Sequence, residues 1–103
     1  MSEEEVQVYE RVGPVLQASA VTDAIIAAIK DLNQDVVVMD RGAYLRVLVP
    51  SRCVVTRSAI ERRLGRPFRF PGELEVVMPS FKGAISLSEN EVTWQFKGAP
   101  NRA

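Results

Sequence analysis

Residues 19–49, SAVTDAIIAAIKDLNQDVVVMDRGAYLRVLV, contain the two patterns that decide the fold. In the first half, apolar residues recur at spacings of three and four: Val21, Ile25, Ala28, Ile29 and Leu32. This spacing places them on one face of a helix, which we expect over about residues 20–32. Ser19 suits the N-cap, because its hydroxyl can accept a hydrogen bond from the first turn.

The second half of this stretch predicts a β-hairpin. Residues 36–39, VVVM, have the β-branched composition of a buried strand. A tight turn at residues 40–42 leads into a second strand over residues 43–49. Side chains alternate between the two faces of a strand. The outer set is Tyr44, Arg46 and Leu48, and the core set is Ala43, Leu45, Val47 and Val49.

The flanking residues complete an α+β pattern. Residues 12–17 read as an extended segment, which Pro14 places at a sheet edge or a strand start because proline cannot donate to a ladder. Residues 53–55 predict a strand, and a helix capped by Thr56 ends at Leu64 before Gly65. Three further strands are predicted, with loops between them: the strands are 73–78, 84–87 and 92–96, and the loops are 79–83 and 88–91. The order, roughly β-α-β-β-β-α-β-β-β, predicts two helices packed on mostly antiparallel sheet.

Length and composition indicate one domain. The 103 residues are 47% hydrophobic, enough for a single core, which we place at residues 12–97 between flexible tails at 1–11 and 98–103. No apolar stretch approaches the roughly 20 residues that span a bilayer, and the acidic start is unlike an export signal. The lone Cys53 allows no intrachain disulfide. We therefore expect a cytoplasmic protein that is monomeric when free.

The residue types present argue against catalysis. Histidine, the commonest acid–base group and metal ligand, is absent, and a single cysteine cannot build a thiolate metal cage. Glu73 and Glu75 would share one face of a predicted strand, but no nucleophile or metal cluster accompanies them. Cys53 lies in an apolar run, so we expect a buried, inert thiol. The sequence predicts no catalytic, metal or cofactor site.

Charge is segregated along a chain whose net charge is zero. Residues 1–40 hold two bases and eight acids, a net charge of −6, whereas residues 41–69 hold eight arginines and one acid, a net charge of +7. Nucleic-acid binding is disfavoured, because no aromatic-interleaved binding motif accompanies these arginines. A complementary acidic protein partner and a merely solvated helix face both remain open. Arg57 and Glu61 are spaced to pair on a helix.

Four segments resemble the effector, or coupling, proteins of soluble bacterial multicomponent diiron monooxygenases. They are residues 12–16 (VGPVL), 40–47 (DRGAYLRV), 56–68 (TR through LGRPF) and 79–83 (PSFKG). The order and spacing of these segments are most similar to those of the toluene and alkene monooxygenase branch. The resemblance implies a protein without a cofactor that binds the diiron hydroxylase and tunes oxygen activation, coupling and regiospecificity in hydrocarbon oxidation. Iron, flavin and iron–sulfur centres would then belong to other components.

Eight residues are candidates for contacts with such a partner: Tyr44, Arg46, Arg62, Arg63, Arg66, Ser80, Phe81 and Lys82. Tyr44 and Arg46 share the outer face of the predicted hairpin. The arginines lie on or just after the second helix, and the last three occupy the predicted loop at 79–83. An aromatic residue in such a loop would be a natural interaction hot spot. The alternative function is a small regulatory domain that binds a metabolite between sheet and helix.

Overall fold

A computed structural model describes residues 10–97, which form three helices and seven strands. The helices are α1 (Ala20–Leu32), α2 (Arg57–Leu64) and α3 (Gly72–Val77). The strands are β1 (Arg11–Gln17), β2 (Val37–Asp40), β3 (Tyr44–Pro50), β4 (Arg52–Thr56), β5 (Ser80–Lys82), β6 (Ala84–Leu87) and β7 (Glu91–Gln95). The predicted tails, apart from Glu10 and Arg11, lie outside the described residues.

The strands form two antiparallel sheets. One has four strands in the order β2-β3-β1-β5, and the other has three in the order β4-β7-β6. Both predicted hairpins are confirmed, since β2 pairs with β3 and β6 pairs with β7. The predicted tight turn between β2 and β3 is also confirmed, because the Gly42 amide donates to the Asp40 carboxylate at 2.8 Å. The α+β class is therefore confirmed, with one more helix than the sequence predicted.

Helix α1 begins and ends where its caps predict. The Ser19 hydroxyl accepts a hydrogen bond from the Thr22 amide at 3.0 Å, and the Asn33 amide closes the last turn on Ile29. The Asn33 side chain then donates to the Val54 carbonyl at 2.8 Å and accepts from the Val54 amide at 3.1 Å. Because β4 is an edge strand, Asn33 satisfies backbone groups there that have no neighbouring strand.

Helix α2 also has its predicted ends. The Thr56 hydroxyl accepts from the Ala59 amide at 3.2 Å, and Gly65 adopts the left-handed conformation, φ 78°, that closes a helix. Ile60 is fully buried, and Leu64 packs against the core, as the sequence indicated. The short helix packs against α1 and β4.

One hydrophobic core joins both sheets and α1. Its fully buried members include Leu16, Ile25, Val47 and Val92. Trp94, Cys53 and Phe68 are buried in the same cluster. Burial raises the pKa of the Cys53 thiol to about 12, which confirms the prediction of an inert group. No helix in the described range is long and apolar enough to cross a membrane.

The predicted strand at residues 73–78 is wrong, because residues 72–77 form α3. Leu74 is buried and Val77 packs against the core, a spacing of three that suits a helix, whereas Val76 is 76% exposed. The Glu73 carboxylate accepts from the Arg69 amide at 2.9 Å, and this contact stabilises the start of the helix. Glu73 and Glu75 therefore do not share a strand face.

The predicted loop at residues 79–83 contains β5, which pairs with β1. β1 consequently lies between two strands, and the edge position predicted from Pro14 is wrong. The β1–β3 register pairs Arg11 and Val12, skips Gly13 and Pro14, and resumes at Val15, so the gap includes the proline that lacks an amide hydrogen.

The buried position predicted for the strand before the hairpin turn is also wrong. β2 is the edge strand beside β3, and Val37 is 40% exposed. A β-branched run cannot distinguish an edge strand from a buried strand, since both favour the same residue types.

Candidate partner-binding site

The eight candidate residues fall in two regions of the molecule. Five lie on strands of the four-stranded sheet, namely Tyr44, Arg46, Ser80, Phe81 and Lys82. The other three lie on or just after α2, namely Arg62, Arg63 and Arg66. The eight residues predicted from the sequence as partner contacts therefore do not form one continuous site.

Strand pairing brings Arg46 and Ser80 to the same face of the sheet. Val15 of β1 pairs with Arg46 of β3 on one side and with Ser80 of β5 on the other. Paired residues of neighbouring strands project from the same face, and Tyr44 joins them because it lies two residues before Arg46. These residues and Pro79 line a surface cavity of about 370 Å³, which we call the sheet-face pocket.

Among residues 10–97, Arg46 is the only cation that lines the sheet-face pocket, and no carboxylate of this range lines it. The Arg46 Nε atom is buried and has no hydrogen-bond partner among the described residues. Arg46 is also not among the arginines that form ion pairs in the described part of the chain. A buried donor that makes no hydrogen bond is unusual in native structures, so a small rearrangement of the Arg46 side chain that gave Nε an acceptor would be favourable.

Two exposed aromatic side chains lie on the same sheet. Tyr44 is 45% exposed at the start of β3, and Phe81 is 42% exposed on the edge strand β5. Phe81 pairs with Pro14, so it projects from the face opposite Ser80. Lys82 lines a separate cavity of about 210 Å³ with Val12 and residues 83, 96 and 97. Tyr44 therefore belongs to the sheet-face pocket, whereas Phe81 and Lys82 lie outside its lining.

A second cavity, of about 490 Å³, lies where the chain leaves α2 for α3. We call it the arginine corner, and its lining residues are Arg57, Arg66, Pro67, Phe68, Arg69, Phe70 and Glu73. The Phe68 and Phe70 rings pack with centroids 6.2 Å apart. Phe68 is buried in the core, so its ring anchors this segment.

Carboxylates of the same chain partner the arginines of the corner. Arg57 pairs with Glu61 at 3.8 Å, as their spacing predicted, and Arg66 pairs with Glu73 at 3.4 Å. A hydrogen bond from the Arg69 amide is the largest cause that lowers the pKa of Glu73. Glu61 also accepts from the Phe68 amide at 2.9 Å. Much of the positive charge of the corner is therefore neutralised within the chain.

The two remaining arginines lie on α2. Arg63 makes a bidentate contact with Asp31 of α1, with nitrogen–oxygen distances of 2.8 and 2.6 Å. These hydrogen bonds lower the pKa of Asp31 and raise that of Arg63. Arg62 is exposed beside this pair and lowers the pKa of Asp31 through its charge. Arg63 therefore joins two helices, and Arg62 faces solvent.

Several lining residues were not predicted from the sequence. Val15 and Pro79 complete the sheet-face pocket, and Arg57 and Arg69 complete the arginine corner. The alternation of β1 could have placed Val15 on a face, but only the pairing with β3 and β5 puts it between Arg46 and Ser80. Within residues 10–97, no group of three or more histidine, cysteine, aspartate or glutamate residues is arranged to hold a metal ion.

The fold itself is shared with chains of two solved complexes. The structure superposes on a chain of a phenol hydroxylase–regulatory protein complex with a TM-score of 0.74 at 20% identity, covering 84% of this chain and 98% of that one. A second such complex gives a TM-score of 0.71 at 21% identity, covering 82% and 98%. Fold and site together define a small α+β binding module.

Sequence comparison is more specific. The MmoB/DmpM family profile matches residues 10–95. The effector subunit of the alkene monooxygenase system of Xanthobacter autotrophicus (strain ATCC BAA-1158 / Py2) is 41% identical over 88 residues, which cover 84% of this chain and 86% of that subunit. The chain therefore belongs to the MmoB/DmpM family, and the resemblance seen in the sequence is confirmed.

Proposed function

We propose that this protein is the effector subunit of a multicomponent monooxygenase and acts by binding the hydroxylase component. The carrying observation is family membership over residues 10–95, together with 41% identity to an alkene monooxygenase effector subunit across most of both chains. The effector supplies binding free energy, and the hydroxylase carries out the oxidation of an alkene or aromatic hydrocarbon.

The mechanism is a shift between states of the hydroxylase. A partner that binds two states equally well shifts no equilibrium, so the effector must bind the productive state more tightly. The differential free energy then appears as faster turnover, tighter coupling of oxygen consumption to product, and a changed product distribution. No redox group on the effector is needed for this effect.

The proposed docking surface centres on the sheet-face pocket. Tyr44, Arg46 and Ser80 lie around one concave surface, and tyrosine and arginine are enriched at interaction hot spots. Lys82 extends the contact along β5, and Phe81 offers a separate contact on the opposite face of that strand. The remaining candidates are Arg62, Arg63 and Arg66, which we assign to the electrostatic field that guides association.

The metabolite-binding alternative receives less support. None of the three cavities described above is lined by α1, so none lies between that helix and a sheet. A cytoplasmic location is part of the proposal. It rests on the single buried Cys53, which suits a reducing compartment.

The test is reconstitution with the hydroxylase, ferredoxin and reductase of the same monooxygenase system. Adding the chain should raise the hydroxylation rate saturably, lower the peroxide released per oxygen consumed, and change the ratio of product isomers. The chain alone should oxidise no hydrocarbon.

An unfolded sample of the same chain is the matched control, since it contributes the same amino acids without the fold. If rate, coupling and product distribution all stayed unchanged with the folded chain, the effector function would be wrong. If instead a metabolite raised the melting temperature of the isolated chain, the regulatory-domain alternative would replace it.

A further inference from the structure

We infer that the sheet-face pocket receives an aspartate or glutamate side chain of the hydroxylase, bound by Arg46. The inference rests on the proposed function and adds the chemistry of the contact. Its starting point is the buried Arg46 Nε, which makes no hydrogen bond with the described residues.

Arginine chemistry selects a carboxylate. A guanidinium has five N–H donors and no acceptor, and two of these donors match both oxygens of a carboxylate at once. The pocket lining adds the hydroxyl groups of Tyr44 and Ser80, which can donate to the same acceptor. With one cation and no acid in its lining, the pocket favours an anion.

Position on the sheet makes this arginine different from the others. Arg46 pairs with Val15 on one side and with Met39 on the other, so its backbone is fixed by two neighbouring strands. Less conformational freedom of the side chain and backbone therefore has to be lost when the partner docks. A charge-assisted hydrogen bond in a partly buried pocket also lasts longer than an exposed ion pair, which mainly affects the association rate.

The cavity is accessible from outside the chain. It opens on the surface beside Tyr44 and Ser80, both exposed, and its volume of about 370 Å³ admits a side chain. In the arginine corner, by contrast, Glu61 and Glu73 already act as the carboxylates that an acidic partner would have to displace. The sheet-face pocket is therefore the better receptor for an acidic side chain.

The first test measures binding of the hydroxylase by Arg46→Gln and Arg46→Lys. We expect Arg46→Gln to raise the Kd at least about 30-fold, mainly through faster dissociation. Arg46→Lys keeps the charge but loses Nε and the planar fork, so it should also bind clearly more weakly than wild type. The matched control is Arg52→Gln, at the edge of the other sheet, which should bind within about twofold of wild type because exposed ion pairs contribute little.

A second test uses the isolated chain. Ser80 lies two strands from Arg46, a distance of about 10 Å that glutamate and arginine side chains can span together. Ser80→Glu would place a carboxylate in the pocket. It should raise the melting temperature when Arg46 is present, fail to do so in an Arg46→Gln background, and block hydroxylase binding.

The outcomes separate the two claims. If wild type binds the hydroxylase and both Arg46 variants bind within about twofold of it, the inference is overturned while the effector function stands. Absence of thermal coupling between positions 46 and 80 would overturn it as well. If wild type itself neither binds nor changes turnover, the proposed function fails and the inference fails with it.

Discussion

The arginine corner and the sheet-face pocket use the same residue type in opposite ways. At the corner, Arg57 and Arg66 are paired with carboxylates of their own chain. In the pocket, Arg46 keeps a buried donor that has no partner within the described part of the chain. Charge density along the sequence is highest near α2, yet the donor available for a new contact lies on a β-strand. The number of arginines in a segment therefore does not locate the strongest binding group.

The difference follows from the partners that each element brings. α2 carries Glu61, one helical turn from Arg57, and α3 carries Glu73, which pairs with Arg66 in the segment between the two helices. At the level of Arg46, β3 is flanked by Val15 and Met39. The hydrocarbon groups of these two side chains cannot accept a hydrogen bond from the guanidinium. An arginine that is paired with a carboxylate of its own chain stabilises the fold, whereas an arginine with an unpaired donor can bind a partner.

The largest expected effect tests the close packing of β1 against β3, the strands that support the sheet-face pocket. A Cβ on Gly13 would lie 2.2 Å from the Val47 carbonyl oxygen, and φ is +147° there. Gly13→Ala should lower the free energy of unfolding by about 3 kcal/mol or more, because strain and overpacking add. Chemical denaturation measures the free energy of unfolding of the variant and of wild type.

Gly42→Ala is the matched control for that change. Gly42 has a positive φ of +83°, but nothing lies within 4 Å of an added Cβ. Gly42→Ala should lower the free energy of unfolding by only about 1 to 2 kcal/mol, from backbone strain alone. Equal losses at the two positions would show that close approach between β1 and β3 does not limit the sheet.

A smaller effect separates steering from docking. Arg62 is exposed and is not among the arginines in ion pairs of the described chain. Arg62→Glu should slow association with the hydroxylase a few-fold at low salt and leave the dissociation rate unchanged, because long-range attraction is screened by salt. Stopped-flow mixing across a salt series checks this.

Reversing both Arg62 and Arg63 should slow association further, but Arg63 also holds Asp31. The double variant therefore needs a melting curve as its control. A loss of affinity that persists at high salt in Arg62→Glu would mean that the face of α2 that carries Arg62, and not the pocket, makes the tight contact.

The smallest effect is the pH dependence of the α1–α2 contact. Hydrogen bonds from Arg63 lower the pKa of Asp31 in the folded protein from its ordinary value of 3.8. The ionised carboxylate is thus favoured by folding, so its stabilisation is complete above the ordinary pKa and is lost as pH falls through the lowered value. Asp31→Asn should lower the melting temperature slightly at neutral pH and match wild type in strong acid.

Arg63→Gln should reproduce that pH profile, because it removes the other half of the same contact. Thermal unfolding followed by circular dichroism from neutral to strongly acidic pH measures both variants. If each variant melted below wild type by the same amount at every pH, the ion pair would be excluded as the cause of the difference in melting temperature.

Local signals in the sequence predicted the helices that carry the arginines. Ser19, Thr56 and Gly65 cap α1 and α2 as expected, since capping depends on residues within one turn of each end. α3 was missed because residues 73–78 alternate like a strand. The contact that favours a helix there joins Glu73 to the Arg69 amide, and the burial of Leu74 is a tertiary effect.

The site was predicted in part. Tyr44, Arg46 and Ser80 were each named from the sequence, but nothing local joins residues on β3 to a residue on β5. β5 itself exists through its pairing with β1, whose residues lie 69 positions earlier at the pair Gly13–Lys82 and 65 positions earlier at the pair Val15–Ser80. Nonlocal pairing of this kind leaves no periodic signal in a three-residue strand, so the pocket emerged only from the fold.

The most direct test of the docking surface is photo-cross-linking from two positions. A benzophenone amino acid would replace Tyr44 in the sheet-face pocket or Arg62 on α2, and each variant would be irradiated with the hydroxylase. We expect a covalent adduct with the hydroxylase from position 44 and none from position 62. An adduct from position 62, with none from position 44, would contradict the account.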